Sequence, residues 1–169
     1  MNPSNPETPH RPPIEGPLRI SAKALAAICS ELRRLLADIF AMYIKTKNFH
    51  WHMMGPHLRD YRLLLDEQAR QLFAMTDLVA ERSRKLGGDA LLSIGDIARY
   101  QRIRDSDQEG LTPEAMFTEL LADNRMLADN LRTAHVICDQ FGDFATASLF
   151  ENWMDEADQR IWFLSQIGS

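Results

Sequence analysis

Residues 47–88 read KNFHWHMMGPHLRDYRLLLDEQARQLFAMTDLVAERSRKLGG. A helical pattern closes at His52, breaks at Gly55-Pro56, resumes, and stops at Gly87-Gly88. Apolar residues three and four apart, punctuated by glycine and proline, predict two helices joined by a tight turn. Pro56 suits the first turn of the second helix, where its missing N–H has no partner to lose. The same stretch puts His50, Asp66, Asp77 and Glu81 on two successive helices, and all four are side chains that ligate metals.

Working outward, Ser21 caps the first helix, whose positions Leu25, Ile28, Leu32, Leu35, Ile39 and Met42 repeat at helical spacing. After Gly88, the run Ser93–Ala98 is long enough for one or two helical turns inside a long connection. Thr112-Pro113-Glu114 starts a further helix that ends near Gly142. A last one runs from Phe144 to Gln166, with Leu149, Trp153, Ala157 and Ile161 on one stripe. Alternating β-branched runs and Asn-Gly or Asp-Gly hairpin turns are missing from the sequence. Four long amphipathic helices with a long link between the second and third predict an all-α, ferritin-like four-helix bundle, with a short extra helix in its crossover. Residues 1–17 hold six of the eight prolines and read as an extended N-terminal arm, leaving 18–169 for the bundle domain.

A chain of 169 residues fits one domain with a substantial core. Its net charge of -5 disfavours electrostatic capture of nucleic acid and suits a protein that concentrates cations. No apolar run is long enough to span a membrane, and the N-terminus lacks the pattern of a secretory signal. Cys29 and Cys138 lie inside helical patterns far apart in sequence and read as buried free thiols, which fits a reducing cytoplasm.

Bundles of this type often hold two metals in their core through Glu-x-x-His motifs. None of the predicted helices carries one: Glu31 is followed at the third position by Arg34, and Glu67 by Arg70. The second helix offers another arrangement. Asp66 and Asp77 are eleven residues apart, about three turns, so they share a side; Asp77 and Glu81 are neighbours on it. Eleven residues rise about 16 Å, whereas metal–oxygen bonds are about 2 Å long, so one metal cannot bridge Asp66 and Asp77 within a chain. Two chains packed antiparallel about a two-fold axis would bring Asp66 of one against Asp77 and Glu81 of the other, with His50 joining the Asp66 end. The plainer alternative is a solvated acidic face paired with Arg62, Arg70, Arg82 and Arg84. A histidine beside Trp51 also reads as a packed or capping residue.

The whole segment resembles the ferroxidase signature of the Dps mini-ferritins. Its elements are His50-Trp51 at the end of the first helix, the Gly55-Pro56 turn, Leu65-Asp66-Glu67, and Asp77-x-x-x-Glu81-Arg82 ending at Leu86-Gly87-Gly88. The resemblance runs from about Leu18 to Trp162-Phe163-Leu164 and leaves out only the proline arm. It implies a cytoplasmic, hollow homododecamer that oxidises Fe(II), preferably with hydrogen peroxide, and stores the ferric iron inside. By position, His50 and Asp66 come from one subunit, and Asp77 and Glu81 from its two-fold partner. Trp51 lies beside the centre and quenches oxidising equivalents, or else is a core aromatic.

Arg62 departs from the family, which has a second histidine there. A guanidinium has no lone pair to offer a metal, and at this spacing it can pair with Asp66 instead. The expectation is that the site of His50, Asp77 and Glu81 survives and the second is weak or lost. His52 faces another side of the helix and His57 lies in the turn, so neither is a ready substitute. The resemblance also implies acidic three-fold pores. Asp139 and Asp143 are the candidates, with Glu151 and Asp155 behind them, though each also reads as a helix-end or surface carboxylate. Direct DNA binding is not expected, because the arm sets Arg11 against Glu7 and Glu15 and has no lysine. Three alternatives stand beside the ferroxidase: a non-catalytic storage shell, a nucleoid-associated protein that condenses DNA, and a helical interaction module.

Overall fold

The computed structural model describes residues 20–167. The expected arm, 1–17, lies outside the described residues. Five helices follow in order: α1 (Ala22–His52), α2 (Leu58–Lys85), α3 (Ile94–Tyr100), α4 (Pro113–Gln140) and α5 (Phe144–Ile167). No strand occurs among the described residues. α1 packs on α2 and α4 on α5, and α1 also packs on α4 and α3. The result is a four-helix bundle whose crossover carries the short α3. Among the described residues, no helix is long and apolar enough to cross a membrane.

Local chemistry sets most boundaries. Ser21, Ser93 and Thr112 cap α1, α3 and α4, each hydroxyl accepting a backbone N–H at 3.3 Å. α2 and α4 end the same way. Gly87 (φ 86°) and Gly142 (φ 73°) take the left-handed conformation that lets Gly88 N–H reach the Ser83 carbonyl and Asp143 N–H the Cys138 carbonyl, both at 2.9 Å. The start of α2 differs from expectation. Gly55 (φ 105°) turns the chain and its carbonyl accepts from Leu58 N–H at 3.2 Å, so Pro56 lies in the turn and not in the helix. α3 runs two residues beyond the Ala98 expected.

The core has two apolar parts. The larger gathers Ile28, Leu32, Leu35, Ile39, Met42, Leu72, Met75, Val79, Leu127, Leu131, Phe150 and Trp153. The smaller, nearer the α1–α2 turn, gathers Phe49, Met53, Leu65, Met116, Phe117, Leu120 and Leu164. Between them the register of all four long helices places buried polar residues: Lys45 and Thr46 on α1, Gln68 on α2, Asp123 and Asn124 on α4, Arg160 on α5. Lys45 Nζ donates to Asp123 Oδ2 at 2.6 Å, and Arg160 Nε to Asn124 Oδ1 at 2.8 Å. The α5 stripe is correspondingly shifted. Trp153 and Ala157 are buried as expected, but Leu149 and Ile161 are only half-buried; Thr146, Phe150, Arg160 and Leu164 complete the inward face. An inward arginine interrupts the apolar spacing, and the sequence pattern shifts to its neighbour.

Asp38, wholly buried on α1, holds the crossover in place. It accepts from Arg102 N at 2.5 Å, Arg102 Nε at 2.8 Å, Ile103 N at 3.2 Å and Asn130 Nδ2 at 3.3 Å. Cys29 and Cys138 are free and buried. Burial pushes the Cys138 thiol up to about 12. Gly88 packs so closely on Cys29 that a Cβ there would lie 2.5 Å from its sulfur. Asp38→Ala leaves Arg102 with Glu31 alone and removes the acceptor of two backbone donors, so urea denaturation should show a loss of about 2–4 kcal/mol; a loss below about 1 kcal/mol would mean that water replaces the carboxylate.

Candidate metal centre

The last turns of α1 and the first half of α2 lie side by side, which brings His50, Arg62 and Asp66 to one surface hollow of about 550 Å³, with Leu58 and Leu63 on its walls. His50 Nδ1 is 3.0 Å from the Arg62 carbonyl, and its Nε2 is 3.4 Å from Arg62 Nη2. A carbonyl only accepts and a guanidinium only donates, so the contacts select one tautomer: Nδ1 carries the proton and Nε2 the lone pair. That lone pair is the one a metal would need, and Arg62 donates to it.

Arg62 therefore does not pair with Asp66, as its spacing had suggested. Two other cations do: Lys47 Nζ donates to Asp66 Oδ1 at 2.9 Å, and Arg70 Nε lies 3.3 Å from Oδ2. The Lys47 hydrogen bond, with the charges of Lys47 and Arg70, holds the Asp66 carboxyl below its ordinary value. Lys47 was missed from the sequence. Its signal was present, one helical turn before His50 on α1, but which residue of α2 it meets depends on how the two helices pack.

Farther along α2, Asp77 and Glu81 are exposed one turn apart. Glu81 Oε2 lies 3.3 Å from Lys85 Nζ, an exposed pair of small energetic weight. Asp77 has no hydrogen-bonding or ionic partner among the described residues. His50 with Asp66 and Asp77 with Glu81 thus form two half-sets at separate places on one outward face. Among the described residues, no three His, Cys, Asp or Glu of the chain group so as to hold a metal. Of the arginines offered as partners for the acidic face, Arg70 serves that role, whereas Arg82 and Arg84 pair with Asp143 and Asp89.

The other candidates separate clearly. Trp51 is 59% exposed and is not a core aromatic. The His52 ring lies against the Asn48 carbonyl at 2.9 Å and lines a different cavity, of about 600 Å³, with Met53, Met54 and residues 106–111. His57 stands at the N-cap position of α2 without a side-chain capping bond, its ring against Tyr61. Among the pore candidates, Asp139, Glu151 and Asp155 are exposed, and Glu151 sits 3.0 Å from His135. Asp143 differs from these in being enclosed. It is 3% exposed, accepts from Arg82 Nη2 at 2.5 Å and from Thr146 N at 3.2 Å, and bonds the Thr146 hydroxyl. It caps the first turn of α5 and balances the partly buried Arg82, so it is a helix-end carboxylate with its oxygens engaged.

Comparison with known proteins agrees with the geometry. A ferritin-like domain matches residues 29–168. The chain is 29% identical to antigen TyF1 of Treponema pallidum subsp. pertenue over 143 residues, covering 85% of this chain and 81% of the relative. It is 28% identical to DNA protection during starvation protein 1 of Deinococcus radiodurans over 148 residues, covering 88% and 72%. Among solved structures, Dps from Thermosynechococcus elongatus superposes with a TM-score of 0.85 at 28% identity, covering 87% of this chain and 93% of that one. Five helices in this order, a crossover helix, and a ferritin-like match over most of the chain place the protein in the Dps mini-ferritin family.

Proposed function

We propose that this protein takes up Fe(II) as substrate, oxidises it with hydrogen peroxide, and stores the ferric product inside a homododecamer, in the cytoplasm. Protection of DNA is then chemical, through the joint removal of iron and peroxide, and needs no direct DNA contact. One observation carries the proposal: His50 and Asp66 share a face with Asp77 and Glu81, yet about 16 Å of helix separates the two pairs. A two-fold partner laid antiparallel on that face joins the pairs at each end. The face also exposes Leu63, Phe73 and Leu78, apolar side chains that a second copy would cover.

Within such a dimer, His50 Nε2 of one subunit and the carboxylates of Asp77 and Glu81 of the other bind a ferrous ion. Hard carboxylate oxygens favour the higher charge of the ferric state, which helps oxidation. Each peroxide takes one electron from each of two ferrous ions, and its O–O bond breaks to give hydroxide, which avoids the radical that a single electron would release. The second ion would need Asp66, which Lys47 and Arg70 occupy, and a ligand where Arg62 stands. Those contacts favour a slow centre, and in the limit a storage shell. Trp51, next to His50 in sequence and exposed, would intercept stray oxidising equivalents.

Anaerobic Fe(II) titration followed by a peroxide pulse should give fewer than two irons per subunit and a slow ferric rise. Arg62→His should then raise the initial rate about tenfold; an unchanged rate would show that the arginine is compatible with full function. Subunit mixing tests the shared site. His50→Ala and Glu81→Gln chains, each inactive alone, should recover about a quarter of wild-type sites when co-assembled at random, because only a mixed dimer has one intact site. No recovery at all would place the centre within one chain. Lys47 should also control Asp66. Because the folded Asp66 pKa is lowered, its pairing with Lys47 is fully present above the ordinary aspartate value and lost as pH falls through the lowered one. The thermal-midpoint gap between wild type and Lys47→Gln should therefore be open at neutral pH and close on acidification, and a gap that does not change with pH counts against the pairing.

A further inference from the structure

Six charged side chains are buried in the described residues: Asp38, Lys45, Asp96, Asp123, Asp143 and Arg160. Five are matched. Asp38 lies 2.7 Å from Arg102, Lys45 lies 2.6 Å from Asp123, Asp143 lies 2.5 Å from Arg82, and Asp96 is bonded to Arg99. Arg160 is the exception. It is 1% exposed, and its nearest carboxylate, Glu156, is 3.9 Å away on a side chain 43% exposed. Its other partners, Asn124 and Gln71, are neutral amides. Burial lowers the Arg160 pKa only to about 10, so the charge remains at neutral pH.

The donors show where the charge is left over. Arg160 Nη2 is buried and has no acceptor, and neither has the buried Nε2 of Gln68. Both residues belong to the polar layer that crosses the bundle between its two apolar clusters. A buried cation whose only carboxylate is a half-exposed Glu156 at 3.9 Å is poorly compensated, and two orphaned donors in one layer add a desolvation cost of their own. A neutral water would satisfy a donor but leave the charge.

We propose that the bundle interior holds a small monovalent anion, of chloride's charge and size, bound by Arg160 Nη2 with the Gln68 amide as second donor. The size limit follows from close packing of the interior: one helical turn from Gln68, Asn124 and Arg160, the residues Leu72, Ala128 and Ala157 are fully buried. The site is cationic and lies inside the bundle, within the polar layer between the two apolar clusters. It is separate from the outward face that carries His50, Asp66, Asp77 and Glu81.

The test is crystals of the full chain in which bromide replaces chloride, with an anomalous difference map collected at the bromine edge. A peak in contact with Arg160 Nη2, absent from Arg160→Met crystals, is expected. No peak in the wild type, or one that persists in the variant, overturns the proposal. Thermal midpoints provide a second readout. Exchange of chloride for gluconate at constant ionic strength should lower the wild-type midpoint more than that of Arg160→Met. Equal shifts count against a specific site. If Arg160→Met does not fold, the wild-type map still decides.

Discussion

Asp38 is the constraint on which much of the rest depends. A carboxylate wholly out of water is tolerated only with a full set of donors, and here the donors come from two different segments, residues 102–103 of the crossover and Asn130 of α4. The requirement sets the roll of α1 about its own axis. Since α1 is one continuous helix to His52, that roll carries forward at helical spacing. Met42, Lys45 and Phe49 turn inward, while Lys47 and His50 come to the edge facing α2. The position of the candidate centre is thus set three turns away from it.

At the centre itself, cations outnumber carboxylates on one half and carboxylates prevail on the other. Lys47 and Arg70 hold Asp66, Arg62 covers the lone pair of His50, and Asp77 lacks a partner among the described residues. The asymmetry has a chemical consequence. Iron approaching the His50 end must displace fixed positive charge, whereas at the Asp77 and Glu81 end it meets free or weakly paired oxygens. In the proposed two-fold pair the two ends would come from different copies of the chain, so attraction and repulsion would meet in one site.

The interior follows the opposite rule. Five of the six buried charges among the described residues are closely paired, and the layer between the apolar clusters is built from Lys45, Asp123, Asn124, Gln68 and Arg160, whose only carboxylate is Glu156 at 3.9 Å. Such a layer specifies register, because sliding any helix by one turn would leave buried charges in apolar surroundings. It also separates the two regions, with the acidic candidate ligands outside on α2 and a cationic cross-layer within.

The helices, their caps and the glycine ends were legible in the sequence because they depend on residues within one turn of each other: Ser21, Ser93 and Thr112 as caps, Gly87 and Gly142 as stops. So was the separation of Asp66 from Asp77, which follows from helical rise alone. Tertiary structure decided what depends on distant partners. Arg62 turned to His50 and left Asp66 to Lys47, since packing of α1 on α2 put a lysine nearer than the arginine on its own helix. Asp143, readable as a surface carboxylate, went inside because Arg82 of α2 and the first turn of α5 both needed an acceptor there. Arg160 took an inward place that the apolar spacing had assigned to Ile161, because its donors found Asn124 on α4 and Gln71 on α2. Spacing along the chain says which residues can share a face, and only packing between helices says which charge each of them meets.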